Sequence, residues 1–328
     1  MCGIVGYVGS RQCTEVLIDA LSKLEYRGYD SAGIAVFDNG EIKVAKSKGR
    51  LKDLENKMEK EGTPNGFAGI GHTRWATHGE PSDVNSHPHS GERVTIVHNG
   101  IIENYKPLKE FLLSQGRVFQ SETDTEVVAQ LLDYYYDGNP LETIKKVMHE
   151  LEGSFALGIV FADFKDTVYA VRCESPLIVG VGENESFIAS DVPAILKYTR
   201  NVYYIGNLEM ARVRKGEITF YNLDGEEIQK QMKTIEWDAE AAEKGGFEHF
   251  MMKEIHEQPK AVQDTLNSVI KDGVIDLSAV EITEEEIQKF EQIYIVACGS
   301  AWHAGMAAQY VLEELADIPV RVELASEF

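Results

Sequence analysis

The feature that most constrains the fold is a long succession of short apolar segments separated by turn residues, running from residue 1 to residue 222. Segments such as "GIVGYVG", "RVTIVHNGII" and "SFALGIVF" are rich in the β-branched and aromatic residues that favour strands. Asp38-Asn39-Gly40, Lys215-Gly216 and Asp224-Gly225 are typical of hairpin turns. So many strands close together in the chain predict antiparallel sheets that pack face to face.

Helical periodicity interrupts these strands. In "TEVLIDALSKLEY", "YKPLKEFLLSQ" and "TEVVAQLLDYYYD" the apolar residues recur every three or four positions, as on one face of a helix. We therefore predict an α+β domain over residues 2–222, with stacked antiparallel sheets and helices outside them. The sequence contains no internal repeat.

The remainder of the chain has a different character. Residues 223–288 are interpreted as a linker and helical connector, with the acidic stretch "WDAEAAEKGG" and a helix broken at Pro259. Residues 289–328 predict a strand, a Gly-containing turn, a helix and a second strand, which is one βαβ unit of a parallel sheet. One such unit cannot cover both faces of its sheet, so we expect further chain or a partner to complete this domain.

Composition excludes some classes of function. The 54 acidic residues against 32 Lys and Arg give a net charge of −22, which argues against a nucleic-acid partner. No apolar run is long enough for a membrane span and no signal-peptide pattern is present, so we expect a soluble, cytoplasmic protein without a membrane partner. The four scattered cysteines fit a reducing compartment better than a disulfide framework.

Cys2 is chemically unusual because it directly follows the initiator methionine. If Met1 is removed, this residue carries a thiol with a reference pKa of about 8.5 and an α-amine with a pKa of about 7.7–8.0. One residue would then hold a nucleophile and its own base. The simpler alternative is a small apolar residue that opens a strand.

Histidine and arginine are concentrated in "GHTRWATHGEPSDVNSHPHS". The histidine spacing matches no zinc pattern, so we expect no metal there. Arg74 close to Thr77 and His78 suits recognition of a carboxylate, since arginine offers a planar pair of donors. The alternative is a loop of partly exposed polar residues.

Two further motifs admit both a structural and a functional interpretation. Asn99-Gly100 follows an apolar strand, where it forms a turn or supplies two donors to an oxyanion. Thr123 and Glu126 are spaced as a capping box. Asp124 would then lie in the first turn of a helix, where an acidic residue is favourable in any protein.

Taken together, these motifs resemble the glutaminase domain of the class II glutamine amidotransferases, whose fold is the N-terminal-nucleophile hydrolase sandwich. The segments that carry the resemblance are "CGIVGY" at 2–7, "LEYRGYDSAGIA" at 24–35, "GHTRWATHGEP" at 71–81, "HNGIIENY" at 98–105 and "SETDTEVV" at 121–128.

The resemblance implies a role for each catalytic position. Cys2 would attack the side-chain amide of L-glutamine, with its α-amine as base. Asn99 and Gly100 would form the oxyanion hole. Arg27 and Trp75 are similar to the residues that order and gate the closed site in this family.

The resemblance also implies how glutamine is bound. Arg74, with Thr77 and His78, would hold the α-carboxylate, and Asp124 would pair with the α-ammonium group. The family uses no metal and no organic cofactor in this reaction.

Within the family, the resemblance is to the amino-sugar-forming branch, which includes a sugar-isomerase domain. The ammonia would pass to fructose 6-phosphate, giving glucosamine 6-phosphate and glutamate, and the full-length protein would be a homodimer. Ser300 would contact the sugar phosphate, although Ala301 stands where the family has a second hydroxyl in this loop. We expect the isomerase acids and bases to lie beyond Phe328, and therefore outside this chain.

Two other hypotheses remain open. Another class II amidotransferase would share Cys2 and Asn99-Gly100 but use a different acceptor domain, and "CGSAWHAG" argues against it. A non-catalytic sugar-phosphate sensor would keep both domains and release no glutamate from glutamine.

Overall fold

The computed structural model describes residues 2–236, 247, 249–271, 273–275 and 282–328. The chain divides into two compact units, Met1–Gly246 and Phe247–Phe328, and each is described by itself. The acidic stretch at 237–246 lies outside the described residues. The proposed boundaries at residues 222 and 288 stay predictions.

The first unit is built from short strands, as its apolar segments predict. Within residues 2–236 the strands are β1 (Gly3–Val8), β2 (Ser31–Asp38), β3 (Glu41–Lys48), β4 (Ala68–Arg74), β5 (His89–Ser90), β6 (Val94–Ile102), β7 (Gly153–Phe161), β8 (Val168–Cys173), β9 (Ile178–Gly182), β10 (Glu185–Ala189), β11 (Asn201–Tyr204), β12 (Glu209–Arg214), β13 (Glu217–Tyr221), β14 (Glu227–Ile228) and β15 (Lys233–Thr234).

These strands form two antiparallel sheets, which confirms the predicted pairing. Across residues 2–236 the first sheet has the order β15-β11-β9-β10-β1-β4-β2-β3, and the second has the order β14-β13-β12-β8-β7-β6-β5. Strand β1 is central: Val5 lies opposite Gly71 of β4 on one side and Ala189 of β10 on the other. The chain therefore places its N-terminal segment in the middle of a sheet.

Helices cover the outer face of each sheet. They are α1 (Cys13–Ser22), α2 (Leu51–Glu61), α3 (Tyr105–Ser114), α4 (Asp124–Tyr135) and α5 (Pro140–Met148), with 3-10 turns at Glu25–Arg27 and Val192–Ala194. Helices α1 and α2 share a core with the first sheet, and α3 to α5 share one with the second. The periodicity predicts α1, α3 and α4. The sequence analysis missed α2 and α5.

A third core lies between the two sheets, which makes the unit a four-layer αββα sandwich. In β1, Ile4 and Val8 belong to this inner core, whereas Val5 and Tyr7 belong to the core under α1 and α2. Both faces of β1 are buried, so its sequence is apolar at every position instead of alternating. Complete burial of each such side chain stabilises the fold by about 1.5–3 kcal/mol.

The three predicted hairpin turns are present. Asn39 and Gly40 have φ angles of 51° and 95°, and Gly216 and Gly225 have φ angles of 69° and 83°. Glycine and asparagine adopt this left-handed conformation at the lowest steric cost, which explains why these residues connect the strands.

The second unit has fewer elements. Its described elements are α6 (Phe250–Val269), β16 (Ile270–Lys271), β17 (Val274–Ile275), α7 (Glu284–Ile287), β18 (Ile293–Ala297), α8 (Gly299–Ala316) and β19 (Val320–Leu324). Strands β18 and β19 are parallel and α8 connects them, which confirms the βαβ unit. The break predicted at Pro259 is wrong, because α6 is continuous through it. Its surroundings are exposed, so water can satisfy the carbonyl group that proline leaves unpaired. Within the described residues, no helix is both long and apolar enough to cross a membrane.

Candidate active site

Cys2 lies at the point where β1 begins, beside the end of β4. Gly3 pairs with Thr73, and this register brings Cys2 next to Trp75. The Trp75 N–H donates to the Cys2 sulfur at 3.2 Å. Burial raises the pKa of the Cys2 thiol, and the neighbouring Asp30 carboxylate raises it further, while the Trp75 hydrogen bond lowers it. The thiol is therefore protonated at neutral pH, and it needs a base in order to attack.

Asn99 and Gly100 reach the thiol from the other sheet. The Asn99 side-chain amide donates from Nδ2 to the carbonyl oxygen of Cys2 at 3.1 Å. Gly100 lines both cavities beside the thiol and has a φ angle of 124°. A Cβ atom at this position would lie 1.9 Å from the carbonyl oxygen of Ser154, so only glycine fits here. The predicted oxyanion pair is thus adjacent to the predicted nucleophile.

Arg74 is the last residue of β4, and its side chain is buried. Its Nη2 donates to the carbonyl oxygen of Gly79 at 2.9 Å and to that of His78. Its Nη1 is buried and has no hydrogen-bond partner among the described residues. An unpaired cationic donor in a buried position is costly unless a ligand satisfies it. Arg74 can therefore hold the loop and still bind a carboxylate.

Asp124 opens α4, as the capping interpretation predicts. Thr123 accepts a hydrogen bond from the Glu126 N–H at 3.2 Å. The Glu126 carboxylate accepts from the N–H groups of Gln120 and Ser121 instead of from Thr123, so only half of the predicted capping box is present. One oxygen of Asp124 accepts the Ile102 N–H at 2.9 Å. Asp124 also lines the cavity beside the thiol.

Two cavities meet at Cys2. The smaller has a volume of about 20 Å³ and includes Arg74, Thr77, His78 and Asp124 in its wall. This volume holds roughly one water molecule. An amino acid therefore fits in this cavity only if its wall widens.

The larger cavity, of about 290 Å³, also includes Cys2 in its wall. Its lining includes Arg27, Asn99, Ile101 and Pro176. Arg27 lies in the first 3-10 turn and donates to the Asp191 carboxylate at 3.1 Å. Trp75 is 48% exposed, and its ring lies edge-on to that of Tyr29. Both predicted gating residues thus line this cavity, although their gating role stays a prediction.

Four buried histidines lie at the site: His72, His87, His89 and His98. Of these, His87 and His98 line the smaller cavity. Burial lowers the pKa of His72 to about 3 and lowers the pKa values of the other three as well. They are therefore neutral near pH 7. Within the described residues, no three His, Cys, Asp or Glu side chains are grouped so that they could hold a metal ion.

Sequence reasoning missed several residues that the fold brings to the site. Asp30 accepts the Ala76 N–H and so holds the segment that follows Arg74. Its position within "LEYRGYDSAGIA" was the available signal. Ser175 and Pro176 also line the larger cavity, but nothing in their local sequence indicates this.

Ser300 lies in the second unit, in the first turn of α8, where it is exposed. The preceding Gly299 has a φ angle of 59°. The structure neither supports nor contradicts the predicted phosphate contact, which stays a prediction.

Comparisons with known proteins show which proteins the chain resembles. The model of a glutamine amidotransferase domain matches residues 72–197. The chain is 56% identical over 331 residues to the "Glutamine--fructose-6-phosphate aminotransferase [isomerizing]" of Caldanaerobacter subterraneus subsp. tengcongensis, covering 100% of the chain and 54% of that protein. The enzyme of the same name from Clostridium acetobutylicum is also 56% identical, with the same coverage. The chain thus spans about half the length of these curated relatives.

Solved structures support the fold. The glutamine phosphoribosylpyrophosphate amidotransferase of B. subtilis, in complex with ADP and GMP, has a TM-score of 0.62 at 19% identity, covering 97% of this chain and 65% of that one. An allosteric regulatory enzyme of purine biosynthesis has a TM-score of 0.59 at 25% identity, covering 68% and 49%. The α+β sandwich of stacked antiparallel sheets predicted from the sequence is confirmed.

Proposed function

Since the chain belongs to the glutamine amidotransferase family, we propose that its first unit hydrolyses L-glutamine with Cys2 as the nucleophile. The observation that carries this proposal is that the predicted catalytic and binding groups lie together. The thiol of Cys2, the amide of Asn99 and the buried charges of Arg74 and Asp124 come from different strands and helices, yet they meet at one pair of cavities.

The chemistry begins with removal of Met1, which frees the α-amine of Cys2. This amine takes the thiol proton, through a water molecule, and the sulfur attacks the side-chain carbonyl carbon of glutamine. Negative charge develops on the carbonyl oxygen, where the Asn99 amide and the Gly100 N–H stabilise it. The amine then returns the proton to the nitrogen, and ammonia leaves. Water hydrolyses the resulting thioester to glutamate and restores the thiol.

Substrate recognition uses the two charges that flank the smaller cavity. The unpaired Nη1 of Arg74 binds the α-carboxylate of glutamine, with Thr77 and His78 beside it. The Asp124 carboxylate binds the α-ammonium group. The closed cavity excludes water once the substrate is in place, which strengthens these ionic interactions. Arg27 and Trp75 would order and gate this closed state.

The names of the relatives suggest the molecule that accepts the ammonia. They are glutamine–fructose-6-phosphate aminotransferases by name, and we propose that ammonia from this site passes to fructose 6-phosphate to form glucosamine 6-phosphate. Ser300 would contact the phosphate. We further propose a cytoplasmic location and a homodimeric full-length protein.

The test supplies the purified chain with L-glutamine, with and without fructose 6-phosphate, and measures glutamate and hexosamine separately. We expect glutamate release, and intact-mass analysis should show that the active species lacks Met1. Undetectable glutamate under both conditions would overturn the proposal in favour of the non-catalytic sensor. Full activity with Met1 retained would overturn the role of the α-amine.

A further inference from the structure

We propose that His72 is a positioning residue that fixes the Asn99 amide with its NH2 group directed toward Cys2. This inference rests on the proposed function, because it assigns a task to the residue that orients an oxyanion donor. The hydrogen bond between His72 and Asn99 connects the two sheets of the first unit and aligns its catalytic groups.

The hydrogen-bond pattern around Asn99 determines the direction of each donor. The carbonyl oxygen of Cys2 can only accept, and it lies 3.1 Å from Asn99 Nδ2. The Oδ1 atom of Asn99 therefore faces the opposite way, where it lies 3.0 Å from Nε2 of His72. Because Oδ1 can only accept as well, Nε2 of His72 must carry the hydrogen. This N–H and the Cys2 carbonyl oxygen together favour the observed amide orientation over its 180° flip.

The flip would place Oδ1 near the position of the oxyanion. Two oxygen atoms with negative charge would then face each other, and the donor would become a source of repulsion. Asn99 has a short side chain whose terminal torsion is broad, so its own rotamer preference does not prevent this flip. The neighbours must prevent it, and His72 adds a donor to Oδ1 to the acceptor that the Cys2 carbonyl presents to Nδ2.

The His72 ring is held in place by its surroundings. It is completely buried on β4 and stacks on His87 with ring centroids 4.1 Å apart. The Nδ1 atom of His87 accepts the His98 N–H at 3.3 Å, which anchors the second ring to β6. Gly33 permits this packing, because a Cβ atom there would lie 2.2 Å from the His87 carbonyl oxygen.

The electrostatic state of His72 supports the same assignment. Burial lowers the pKa of His72 to about 3, so the ring is neutral near pH 7 and carries a single N–H. That hydrogen is committed to Asn99. A charged ring would place a cation behind the site, whereas the neutral ring supplies a directed donor without net charge.

The contact also joins the layers of the sandwich. His72 lies on β4, opposite Ile4 of the nucleophile-bearing β1, whereas Asn99 lies on β6 of the second sheet. Their hydrogen bond therefore fixes the oxyanion donor of one sheet relative to the nucleophile of the other.

The experiment compares substitutions that keep or remove the Nε2 donor. His72→Gln can present an amide N–H near the position of Nε2, while His72→Phe keeps a ring for stacking and removes the donor. We expect His72→Phe to lower kcat about 10- to 100-fold, part of the 10²–10³ that a complete oxyanion donor contributes, with KM changed less than about threefold. His72→Gln should recover much of this loss.

His89→Phe is the matched control. His89 is also a buried histidine of the same cluster, but its described side-chain hydrogen bond is with Thr123. We expect it to leave kcat within about threefold of the wild type, because its bond does not orient an oxyanion donor. Equal loss of kcat in His72→Phe and His89→Phe would overturn the proposal, since it would indicate a general packing effect. If His72→Phe does not fold, His72→Asn, which is too short to reach Asn99, takes its place.

A double-mutant cycle with Asn99→Ala provides the decisive readout. If His72 acts through Asn99, its substitution costs nothing further in kcat once the amide is gone. Fully additive losses would overturn the proposal. A wild-type chain without glutaminase activity would instead refute the proposed function, so the two failures are distinguishable.

Discussion

The two compact units of this chain use their apolar residues differently. In the first, the sheets are covered on both faces, and residues such as Ile4, Val97 and Leu131 are fully buried. In the second, Tyr310 and Leu315 on α8 are 73% and 79% exposed, although α8 connects a well-formed parallel pair. The difference shows that a correct supersecondary unit does not by itself make a closed core.

The comparison matters for function because the proposed glutaminase residues all lie in the closed unit. Cys2, Arg74 and Asn99 lie in or beside strands of a packed sandwich and Asp124 opens a helix. Such elements hold catalytic groups more precisely than loops do. The proposed phosphate contact of Ser300 lies on the open unit. We therefore expect changes in pH, substitutions and proteolysis to affect the two units differently.

Lowering the pH should produce the largest difference in stability between the two units. Histidine has a pKa of about 6.5 in the unfolded chain, and in the fold burial lowers the pKa of the four buried histidines of the first unit. At a pH between the two values, these histidines bind protons in the unfolded state and stay neutral in the folded state. The free energy of unfolding of the first unit therefore falls as the pH drops below 6.5. The loss is at most about 1.4 kcal/mol per pH unit for each buried histidine.

Hydrogen exchange followed by mass spectrometry at pH 7.5 and 5.5, corrected for intrinsic rates, checks this prediction. The described histidines of the second unit, His249, His256 and His303, are exposed. Protection should thus decrease mainly in peptides of the first unit. An equal decrease in both units would break the comparison.

Loss of the oxyanion donor should come next. Asn99→Ala is expected to lower kcat about 10²–10³-fold, equivalent to roughly 2.7–4 kcal/mol. Asn104→Ala is the matched control from the same motif, since its side chain bonds the backbone of Glu150 and Glu152. It should lower the melting temperature and leave kcat nearly unchanged. Similar kcat values for the two variants would remove Asn99 from the mechanism.

Removal of one substrate charge partner should have a smaller effect. Asp124→Asn is expected to raise KM for glutamine by the equivalent of about 1.5–3 kcal/mol, the value of a hydrogen bond to a charged group. Glu142→Gln alters the first turn of the neighbouring α5 and controls for the helix dipole. If both variants raise KM equally, Asp124 does not contact the α-ammonium group.

Limited proteolysis should reveal the smallest effect, the difference in the free energy of local opening between the two units. The second unit exposes apolar side chains such as Met251 at 71%, and elements with few buried contacts open most easily. Cleavage at low protease concentration should therefore begin after residue 246, as gel electrophoresis and peptide mass would show. Initial cleavage within β1 to β13 would contradict the comparison.

Local patterns predicted much of the fold. The turn at Asn39-Gly40, the helices α1, α3 and α4, and the βαβ unit all follow from periodicity and turn chemistry. The helix break predicted at Pro259 was wrong, because an exposed helix tolerates a proline that a buried one does not. The sequence analysis did not recognise α2, although its buried Leu51, Leu54 and Met58 have helical spacing.

The site was predictable only in part. The motifs that contain Cys2, Asn99 and Arg74 indicate the chemistry, because each places a thiol, an amide or a guanidinium group in or beside an apolar strand. The bond between His72 and Asn99 joins two sheets, and Pro176 reaches the cavity from a distant segment. Such contacts depend on how the layers pack, and no local pattern encodes that packing.

The most direct test of the account is the glutaminase activity of Cys2→Ala beside that of Cys298→Ala. Both changes remove a free cysteine, one in each unit. We predict that Cys2→Ala lowers glutamate release on the order of 10⁴-fold or more, as removal of a catalytic nucleophile does, and abolishes labelling by an electrophilic glutamine analogue, while Cys298→Ala retains the wild-type rate. Glutamate release by folded Cys2→Ala within a few-fold of the wild type would contradict the account.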